Sequence, residues 1–384
     1  MTVDTHLHWA QADGSPDSAL WRSEAAVPVP KRVRLIDDTT PADVAYKLAC
    51  EGTALLWQGD FQNARHLLQA LMRRLDRQPR GRSGAGKDAA ELTAGDAFNK
   101  HRQAQAHRAR VLGALLIPFN ADHTVPLRRG PDVQQACLEA YGPGTEPYVA
   151  TLRELLGLVG AHEWRKKGVD IPALKGRIHA HYGVFSPVRG EYVDLVAKAP
   201  LPAGVTTAFD IGTGTGVLAA VLAKRGIAKV IATDQDPRAL TCAQANVNRL
   251  GLGASVTVLE ADLFPEGTAK LIVCNPPWVP ARPSSPIEYA VYDPDSRMLR
   301  GFLSGLAGHL ADGGEGWLIL SDLAEHLGLR TRAELQGWID GGRLKVVGRL
   351  DARPHHPKAS DPNDPLHRAR AAEVTSLWRL AAVR

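Results

Sequence analysis

The sequence is poor in the features that mark secreted, zinc-binding and membrane-spanning proteins. Its 384 residues include only four cysteines, widely spaced and without a C-x-x-C pair, which argues against a disulfide framework or a zinc site. No apolar run approaches the roughly 20 residues that a membrane-spanning helix needs. The polar first residues lack the basic and apolar segments of a signal peptide. We therefore expect a cytoplasmic protein with no metal and no membrane contact.

The balance of charge is nearly even and excludes few classes of partner. Forty-six basic residues face 41 acidic ones, so the formal net charge is +5. This slight excess permits a nucleic-acid partner without requiring one. The length favours more than one domain. The oligomeric state stays open, with a monomer favoured.

The first part of the chain reads as a polar arm followed by helices. Residues 1–36 are polar with scattered prolines, and they predict a loosely docked N-terminal arm. Helical periodicity over 39–75, 97–117 and 145–161 predicts a mainly helical N-terminal domain spanning 37–176. We assign substrate recognition to that domain.

Residues 177–384 show short apolar segments that alternate with helical ones. This alternation predicts βαβ units and a mostly parallel α/β sheet with both faces covered. The last two apolar segments have no helical pattern between them, which favours an antiparallel hairpin at one edge. The Pro-rich loop 351–373 joins them and has no assigned role. The predicted strands are AFDIG, KVIATD, VTVLEAD, KLIVCN, EGWLILS, LKVVGRL and TSLWRLAAV, and the predicted helices span 216–225, 237–250, 296–310 and 325–340.

The stretch FDIGTGTGVLA, residues 209–219, is a strand, a glycine-rich turn and the start of a helix. Glycines at 212, 214 and 216 allow a tight turn and a close approach of a ligand to the backbone. The following helix start points free N–H groups at the same place. Val217 stands where the dinucleotide fingerprint needs glycine, so the pattern indicates a nucleotide-type loop without naming its ligand.

Acidic residues follow the next two predicted strands. Asp234 ends the second strand, where a carboxylate can accept hydrogen bonds from ribose hydroxyls. Asp236 precedes a proline and is predicted to cap the next helix. Asp262 ends the third strand, where it could accept from an adenine amino group while Leu263 packs on the ring. A simple turn residue is the alternative for Asp262.

The fourth predicted strand ends in CNPPWVP, residues 274–280. Two consecutive prolines cannot continue a strand ladder, so the chain leaves the sheet at Asn275 and Trp278 projects from a stiff turn. In an open parallel sheet, ligands bind outside the carboxyl ends of the strands. Successive strand ends therefore place candidate ligands on one rim.

Together, FDIGTGTG, ATD, EADLF and CNPPW resemble the class I S-adenosylmethionine-dependent methyltransferases. The similarity covers roughly residues 180–350. The Asn-Pro-Pro-aromatic motif is similar to that of the release-factor glutamine and N6-adenine methyltransferases. The resemblance implies a Rossmann-like sheet and S-adenosylmethionine as cofactor. It implies cofactor binding by Asp210, Gly212, Thr213, Gly214, Gly216, Asp234, Asp262, Leu263 and Asn275, and a catalytic motif of Asn275, Pro276, Pro277 and Trp278.

The resemblance also implies the kind of acceptor. Members of this group methylate planar –NH2 nitrogens, whose lone pairs are delocalised and poorly nucleophilic. The Asn275 side-chain oxygen and the Pro276 carbonyl can each accept one N–H, and Trp278 can stack on the flat group. We favour a glutamine amide in a release-factor-like protein. The alternatives are an RNA or DNA base (adenine N6 or guanine N2), a small molecule, or a cofactor-binding scaffold without activity.

Three other segments enter the prediction. The lead-in SPVRGEY, 186–192, partly matches the turn that precedes the glycine loop in the glutamine enzymes, and places Phe185 and Glu191 near cofactor or substrate. GRSGAGKD, 81–88, resembles a phosphate-binding loop but lacks both a preceding strand and the Ser or Thr that holds magnesium. Close histidine pairs, including His355–His356, lack metal-ligand spacing, so we expect no metal.

Overall fold

The structure is a computed structural model, and it describes residues 5–76, 93–282, 288, 291–354, 361 and 364–383. GRSGAGKD and His355–His356 lie outside these residues. The chain forms two compact units: the first is Met1–Leu92 with Asn99–Glu163, and the second is Thr93–Phe98 with Trp164–Arg384. The predicted boundary between 176 and 177 stays a prediction. Within the described residues, no helix has the length and apolar character to cross a membrane.

The first unit contains a six-stranded mixed sheet in the order β1-β2-β6-β5-β4-β3. The strands β3, β4 and β5 are parallel, whereas β6 runs antiparallel to β5. Helix α3 begins in the second unit, and α5 ends there. The elements are β1 His6–Ala10, β2 Pro16–Trp21, β3 Val33–Ile36, α1 Ala42–Cys50, β4 Ala54–Trp57, α2 Phe61–Asp76, α3 Ala94–Leu112, β5 Leu115–Phe119, α4 Gln134–Tyr141, β6 Tyr148–Thr151 and α5 Leu152–Lys167.

This sheet corrects two predictions. The polar arm over 1–36 is wrong, because His6–Ala10 and Pro16–Trp21 pair as an antiparallel hairpin within the sheet. The hairpin reads as polar because much of it is partly exposed, although Leu7 is fully buried. The second correction concerns the mainly helical domain predicted over 37–176, because that prediction omits the strands β4, β5 and β6. Runs of four or five apolar residues, as in ALLW, cannot be told from buried helix by periodicity alone.

The second unit contains a seven-stranded sheet in the order β11-β10-β9-β12-β13-β15-β14. From β11 to β13 the neighbours are parallel, and β15 pairs antiparallel with both β13 and β14. The Rossmann-like sheet with an antiparallel edge is therefore confirmed. The elements are β7 Val169–Ile171, β8 Gly176–Ile178, α6 Glu191–Lys198, β9 Thr207–Ile211, α7 Val217–Lys224, β10 Lys229–Asp234, α8 Pro237–Arg249, β11 Val256–Glu260, β12 Ala269–Cys274, α9 Arg297–His309, β13 Leu310–Ser321, α10 Leu323–His326, α11 Arg332–Gly341, β14 Leu344–Ala352, α12 His367–Ala372 and β15 Thr375–Ala382.

Both faces of this sheet are covered, as the continuous apolar strands predict. Ala208 packs in a cluster with residues of α6 and α7, while its neighbour Phe209 packs on the other face with residues of α9 and α11. The helix predicted over 325–340 is two helices, α10 and α11. Gly328 has a φ of +68°, which ends the first, and Thr331 starts the second with a capping box.

The strand order reverses beside β9, which is the point where open α/β sheets bind ligands. From β9 the chain moves outward through β10 and β11, then returns to the opposite side of β9 as β12. In the register, Ile211 pairs with both Thr233 and Cys274, and Asp234 pairs with Glu260. The predicted ligands after these strands therefore lie along one edge.

Candidate active site

The loop after β9 is held by the carboxylate of Asp210. This side chain is 1% exposed, and its Oδ2 accepts hydrogen bonds from Thr213 Oγ1 at 2.6 Å and the Ala219 N–H at 2.9 Å. The Thr213 N–H donates to the Thr233 carbonyl at 2.8 Å. Burial raises the pKa of Asp210 to about 6, against the opposing effect of its hydrogen bonds. These contacts lie inside the protein, and direct cofactor binding by Asp210 and Thr213 stays a prediction.

The three glycines of this loop do different work, although all have positive φ: +68° at Gly212, +54° at Gly214 and +79° at Gly216. A Cβ at Gly216 would lie 3.2 Å from the Cα of Ala243 in α8, and one at Gly212 would collide with Met298. A Cβ at Gly214 would meet no atom within 4 Å. Gly212 and Gly216 therefore allow close packing, whereas Gly214 borders open space at the start of α7. That space fits a cofactor lying against the backbone.

Asp234 ties the end of β10 to the glycine loop. Its Oδ2 accepts from the Gly214 N–H at 3.0 Å, and its Oδ1 accepts from the Asp236 N–H at 3.0 Å. Burial raises the pKa of Asp234, while these hydrogen bonds act in the opposite direction. Ribose binding by Asp234 stays a prediction. Asp236 accepts from the Arg238 N–H at 2.9 Å and caps α8, which confirms its predicted role.

The end of β11 presents one exposed and one strained residue. The Asp262 side chain is 72% exposed and lies 3.8 Å from the Arg297 guanidinium. Leu263 has a φ of +73°, and its carbonyl accepts from Thr233 Oγ1 at 2.6 Å. Its side chain is partly buried against the α9 cluster. These contacts fix the turn. The cofactor roles of Asp262 and Leu263 stay predictions, as does the alternative that Asp262 is a simple turn residue.

The motif after β12 is internally hydrogen-bonded. The indole Nε1–H of Trp278 donates to Oδ1 of Asn275 at 2.9 Å. Because only the oxygen of an amide accepts, this bond sets which way the Asn275 amide faces. One lone pair of Oδ1 remains for another donor. Pro276 is buried, and Pro277 is half-buried in the same turn.

Trp278 is held from several sides. The Arg189 guanidinium lies 5.2 Å from the centroid of its ring, and Arg330, itself 3% exposed, donates to its carbonyl at 3.4 Å. The ring also packs against three apolar clusters. The expected stacking of Trp278 on an acceptor stays a prediction, and one face of the ring already carries a cation.

Sequence reasoning missed most of this surrounding shell. Glu191 was expected near the site, and its carboxylate binds the guanidinium of Arg189. The signal for Arg189 lay in the same SPVRGEY turn. Arg330 and Glu373 lie far along the chain and carry no local motif. The site role of Phe185 stays a prediction.

A buried aspartate joins the motif to α9. Asp293 is 6% exposed, and its Oδ2 accepts from the N–H groups of Met298 at 2.9 Å and Leu299 at 3.2 Å. Its own N–H donates to the Val279 carbonyl at 2.9 Å. Burial raises the pKa of Asp293. Asp293 therefore fixes the exit of the NPPWVP turn against the start of α9.

The residues described show no metal-binding cluster. They include no group of three or more His, Cys, Asp or Glu side chains placed to hold a metal ion. A cavity of about 620 Å³ lies beside α9 and α11, lined in part by Arg300 and Trp338. None of the predicted site residues lines it.

Comparison with known proteins gives a family match within this chain. Residues 175–325 match the methyltransferase small domain family. The ribosomal protein L11 methyltransferase of Pelotomaculum thermopropionicum is 41% identical over 83 residues, which are 21% of this chain and 26% of the relative. The release factor glutamine methyltransferase of Moorella thermoacetica is 45% identical over 92 residues, 23% of this chain and 32% of the relative. The chain thus spans a third or less of the length of these two relatives.

Among solved structures, a methyltransferase from Pyrococcus furiosus aligns with a TM-score of 0.38 and 18% identity, covering 60% of this chain and 99% of that one. The family match covers the glycine loop, Asp234 and the Asn275–Trp278 motif. It also includes β9 to β12, whose carboxyl ends carry those residues. Residues 175–325 therefore belong to the class I S-adenosylmethionine-dependent methyltransferases, and S-adenosylmethionine is their cofactor.

Proposed function

We propose that this protein transfers a methyl group from S-adenosylmethionine to the side-chain amide nitrogen of a glutamine in a protein. The observation that carries the proposal is the Asn275 amide, whose oxygen is oriented by the Trp278 indole at 2.9 Å. This amide stands at the end of β12, beside the strand β9 that leads into the glycine loop. An acceptor oxygen with a set direction is what a planar –NH2 group requires.

The residues of the turn supply positioning and charge stabilisation. The remaining lone pair of Asn275 Oδ1 and the carbonyl of Pro276 can each accept one N–H of the acceptor. Holding both N–H groups aims the nitrogen and stabilises the positive charge that develops on it during transfer. The two prolines keep these acceptors rigid. Bound S-adenosylmethionine supplies the methyl group on a sulfonium, which is already a good leaving group.

The open space at Gly214 and the carboxylate of Asp234 fit the cofactor. Gly214 leaves the backbone of the loop accessible to a ligand. The carboxylate of Asp234 lies 3.0 Å from the backbone nitrogen of Gly214. We assign the ribose hydroxyls to Asp234 and the neighbouring backbone to the rest of the cofactor. The exposed Asp262 is assigned to the adenine amino group.

Two observations support a glutamine amide over a nucleic-acid base. The relatives above are named for protein substrates, a release factor and ribosomal protein L11. Base-modifying enzymes commonly stack the extruded base between aromatic or apolar side chains. Here the Trp278 ring carries Arg189 on one face and packs against apolar clusters. A small amide needs no free aromatic face.

The test is transfer of labelled methyl from S-adenosylmethionine into a fractionated lysate by the full chain. We expect label that protease releases and nuclease does not, and N5-methylglutamine after proteolytic digestion to amino acids. An Asn275→Ala variant serves as the matched blank. Label that follows the nucleic acid, or that appears on small molecules, would overturn the glutamine assignment.

A further inference from the structure

The guanidinium of Arg189 sits in a buried ionic cluster beside the motif. Its Nε donates to the Glu191 carboxylate at 2.8 Å, and its Nη2 donates to the Glu373 carboxylate at 3.1 Å. The side chains of Glu191 and Glu373 are 7% and 3% exposed. Ser321 Oγ also donates to Glu373 at 2.8 Å. The cluster joins the start of α6, the end of β13 and the residue after α12.

This cluster is connected to the amide that faces the acceptor. Arg189 lies over the Trp278 ring at 5.2 Å, and the N–H of that ring donates to Asn275 Oδ1 at 2.9 Å. An indole has a single N–H in the plane of the ring, so the tilt of the ring decides where that donor points. A cation over the ring face resists tilting, because the attraction depends on its position over the π system.

We propose that Arg189, held by Glu191 and Glu373, is a positioning residue that fixes the Trp278 ring and thereby the direction of the Asn275 acceptor oxygen. This inference rests on the proposed function for its catalytic consequence, but the Arg189–Trp278 coupling is independent of the acceptor. It also gives the segment that ends in Glu373 a role. The last turn before β15 anchors the cation that orients the site.

The ion pairs explain why the cation stays in place. Two buried carboxylates share one guanidinium, and the planar fork of arginine can meet both at once. Lysine carries the same charge as a single point and cannot bridge both carboxylates while covering the ring. Arg189→Lys should therefore keep the charge of the cluster while allowing the Trp278 ring to tilt. Glu373→Gln should weaken one anchor and leave the guanidinium present.

The first measurement follows the indole directly in the full chain. The protein is labelled with ¹⁵N-tryptophan and saturated with S-adenosylhomocysteine, and the Trp278 signal is assigned by its loss in Trp278→Phe. Asn275→Ala gives the position of this signal without its acceptor. In Arg189→Met the signal should move toward that position, with smaller shifts in Arg189→Lys and Glu373→Gln.

The second measurement is the initial rate of methyl transfer to protein from a nuclease-treated lysate. Arg189→Met should lower the maximal rate about tenfold, the size of one lost orienting hydrogen bond, with cofactor affinity within about twofold of wild type. Arg189→Lys should recover part of the rate. The matched control is Arg300→Met, since Arg300 lies 5.8 Å over the half-buried Trp338 ring. It should leave both the rate and the Trp278 signal unchanged.

The outcomes separate this inference from the proposed function. An unmoved Trp278 signal in Arg189→Met, or a moved signal with a wild-type rate, would overturn the positioning role. If Arg189→Met does not bind cofactor, the two milder variants decide the question. If wild type labels nucleic acid and no protein, the glutamine assignment fails. The indole shift then still tests the coupling, and rates are compared on nucleic acid.

Discussion

The side-chain amide of Asn275 is the group on which the proposed function depends. Its oxygen accepts the Trp278 indole proton and has a second lone pair. Asn275→Ala should leave cofactor affinity nearly unchanged and lower the methyl-transfer rate by roughly 10²–10³, as when one preorganised polar partner of a transition state is lost. Single-turnover kinetics and calorimetry with S-adenosylhomocysteine measure the two quantities separately.

The matched control for this substitution is Asn248→Ala. Asn248 lies on the exposed side of α8, and its side-chain oxygen accepts a hydrogen bond from Gln244 within the same helix. Its loss should change neither rate nor affinity. A wild-type rate in Asn275→Ala would mean that the acceptor is not an –NH2 group held by this motif.

Burial of Asp210 should give the stability of the second unit a pH dependence. Burial raises the pKa of Asp210 to about 6 from the usual 3.8. The folded state therefore binds the proton more tightly than the unfolded state does, and stability falls as the pH rises through this window. Relative to Asp210→Asn, wild type should gain about 2 kcal/mol of unfolding free energy between pH 7 and pH 4. Urea unfolding at both pH values measures this difference. If wild type and Asp210→Asn differ in unfolding free energy by the same amount at both pH values, Asp210 does not titrate as a buried carboxyl group.

At the scale of elements, the glycine loop separates packing from ligand contact. Gly216→Ala places a methyl 3.2 Å from Ala243 in α8, at a backbone φ of +79°. It should destabilise the protein by about 2–3 kcal/mol. Gly214→Ala meets no protein atom, so it should cost only about 1–2 kcal/mol of backbone strain. It should instead weaken cofactor binding at least about tenfold, because the methyl enters the space assigned to the cofactor.

Thermal unfolding and calorimetry with S-adenosylhomocysteine distinguish these two variants. Gly253→Ala is the control, since a Cβ there would have Asn248 Oδ1 as its nearest neighbour at 3.9 Å. Undiminished cofactor affinity in Gly214→Ala would place the cofactor away from this turn.

At the scale of the whole molecule, the second unit defines the smallest piece that should bind cofactor. Ile171 and Leu174 are buried in the same cluster as α6 and α7. A fragment of residues 164–384 should therefore fold and bind S-adenosylhomocysteine, whereas residues 177–384 should lose stability and binding. Circular dichroism and calorimetry on both fragments check this expectation.

The fragment 164–384 should nevertheless be less stable than the full chain. It lacks Phe98, which is 5% exposed and packs with Leu323 and Leu327 of the second unit. Loss of such a buried aromatic costs about 3–5 kcal/mol. If the fragment retains full methyl transfer, the first unit does not recognise the acceptor. Equal stability of the two fragments would show that β7 and the turn after it are dispensable.

Local sequence patterns were enough to predict the mostly parallel sheet of the second unit and to place the candidate site residues along one edge of it. The strand ends at Ile211, Asp234 and Cys274 follow from short apolar runs that stop near glycine, acid or proline. The helix cap at Asp236 follows from its position before Pro237. These features depend on residues adjacent in the chain, so propensity and turn chemistry determine them. The same reasoning mistook the strands of the first unit for arm or helix, because its hairpin is partly exposed and the buried apolar runs of β4, β5 and β6 are short.

The residues that surround the Asn275–Trp278 motif could be identified only from the folded chain. Arg189 and Glu373 are separated by 184 positions, and Arg330 and Trp278 by 52, so no local pattern pairs them. Even the hydrogen bond between Asn275 and Trp278, three positions apart, requires a ring orientation that the packing of three clusters and one cation imposes. Short-range chemistry thus predicted the candidate acceptor site, while long-range packing gave its polar groups their directions.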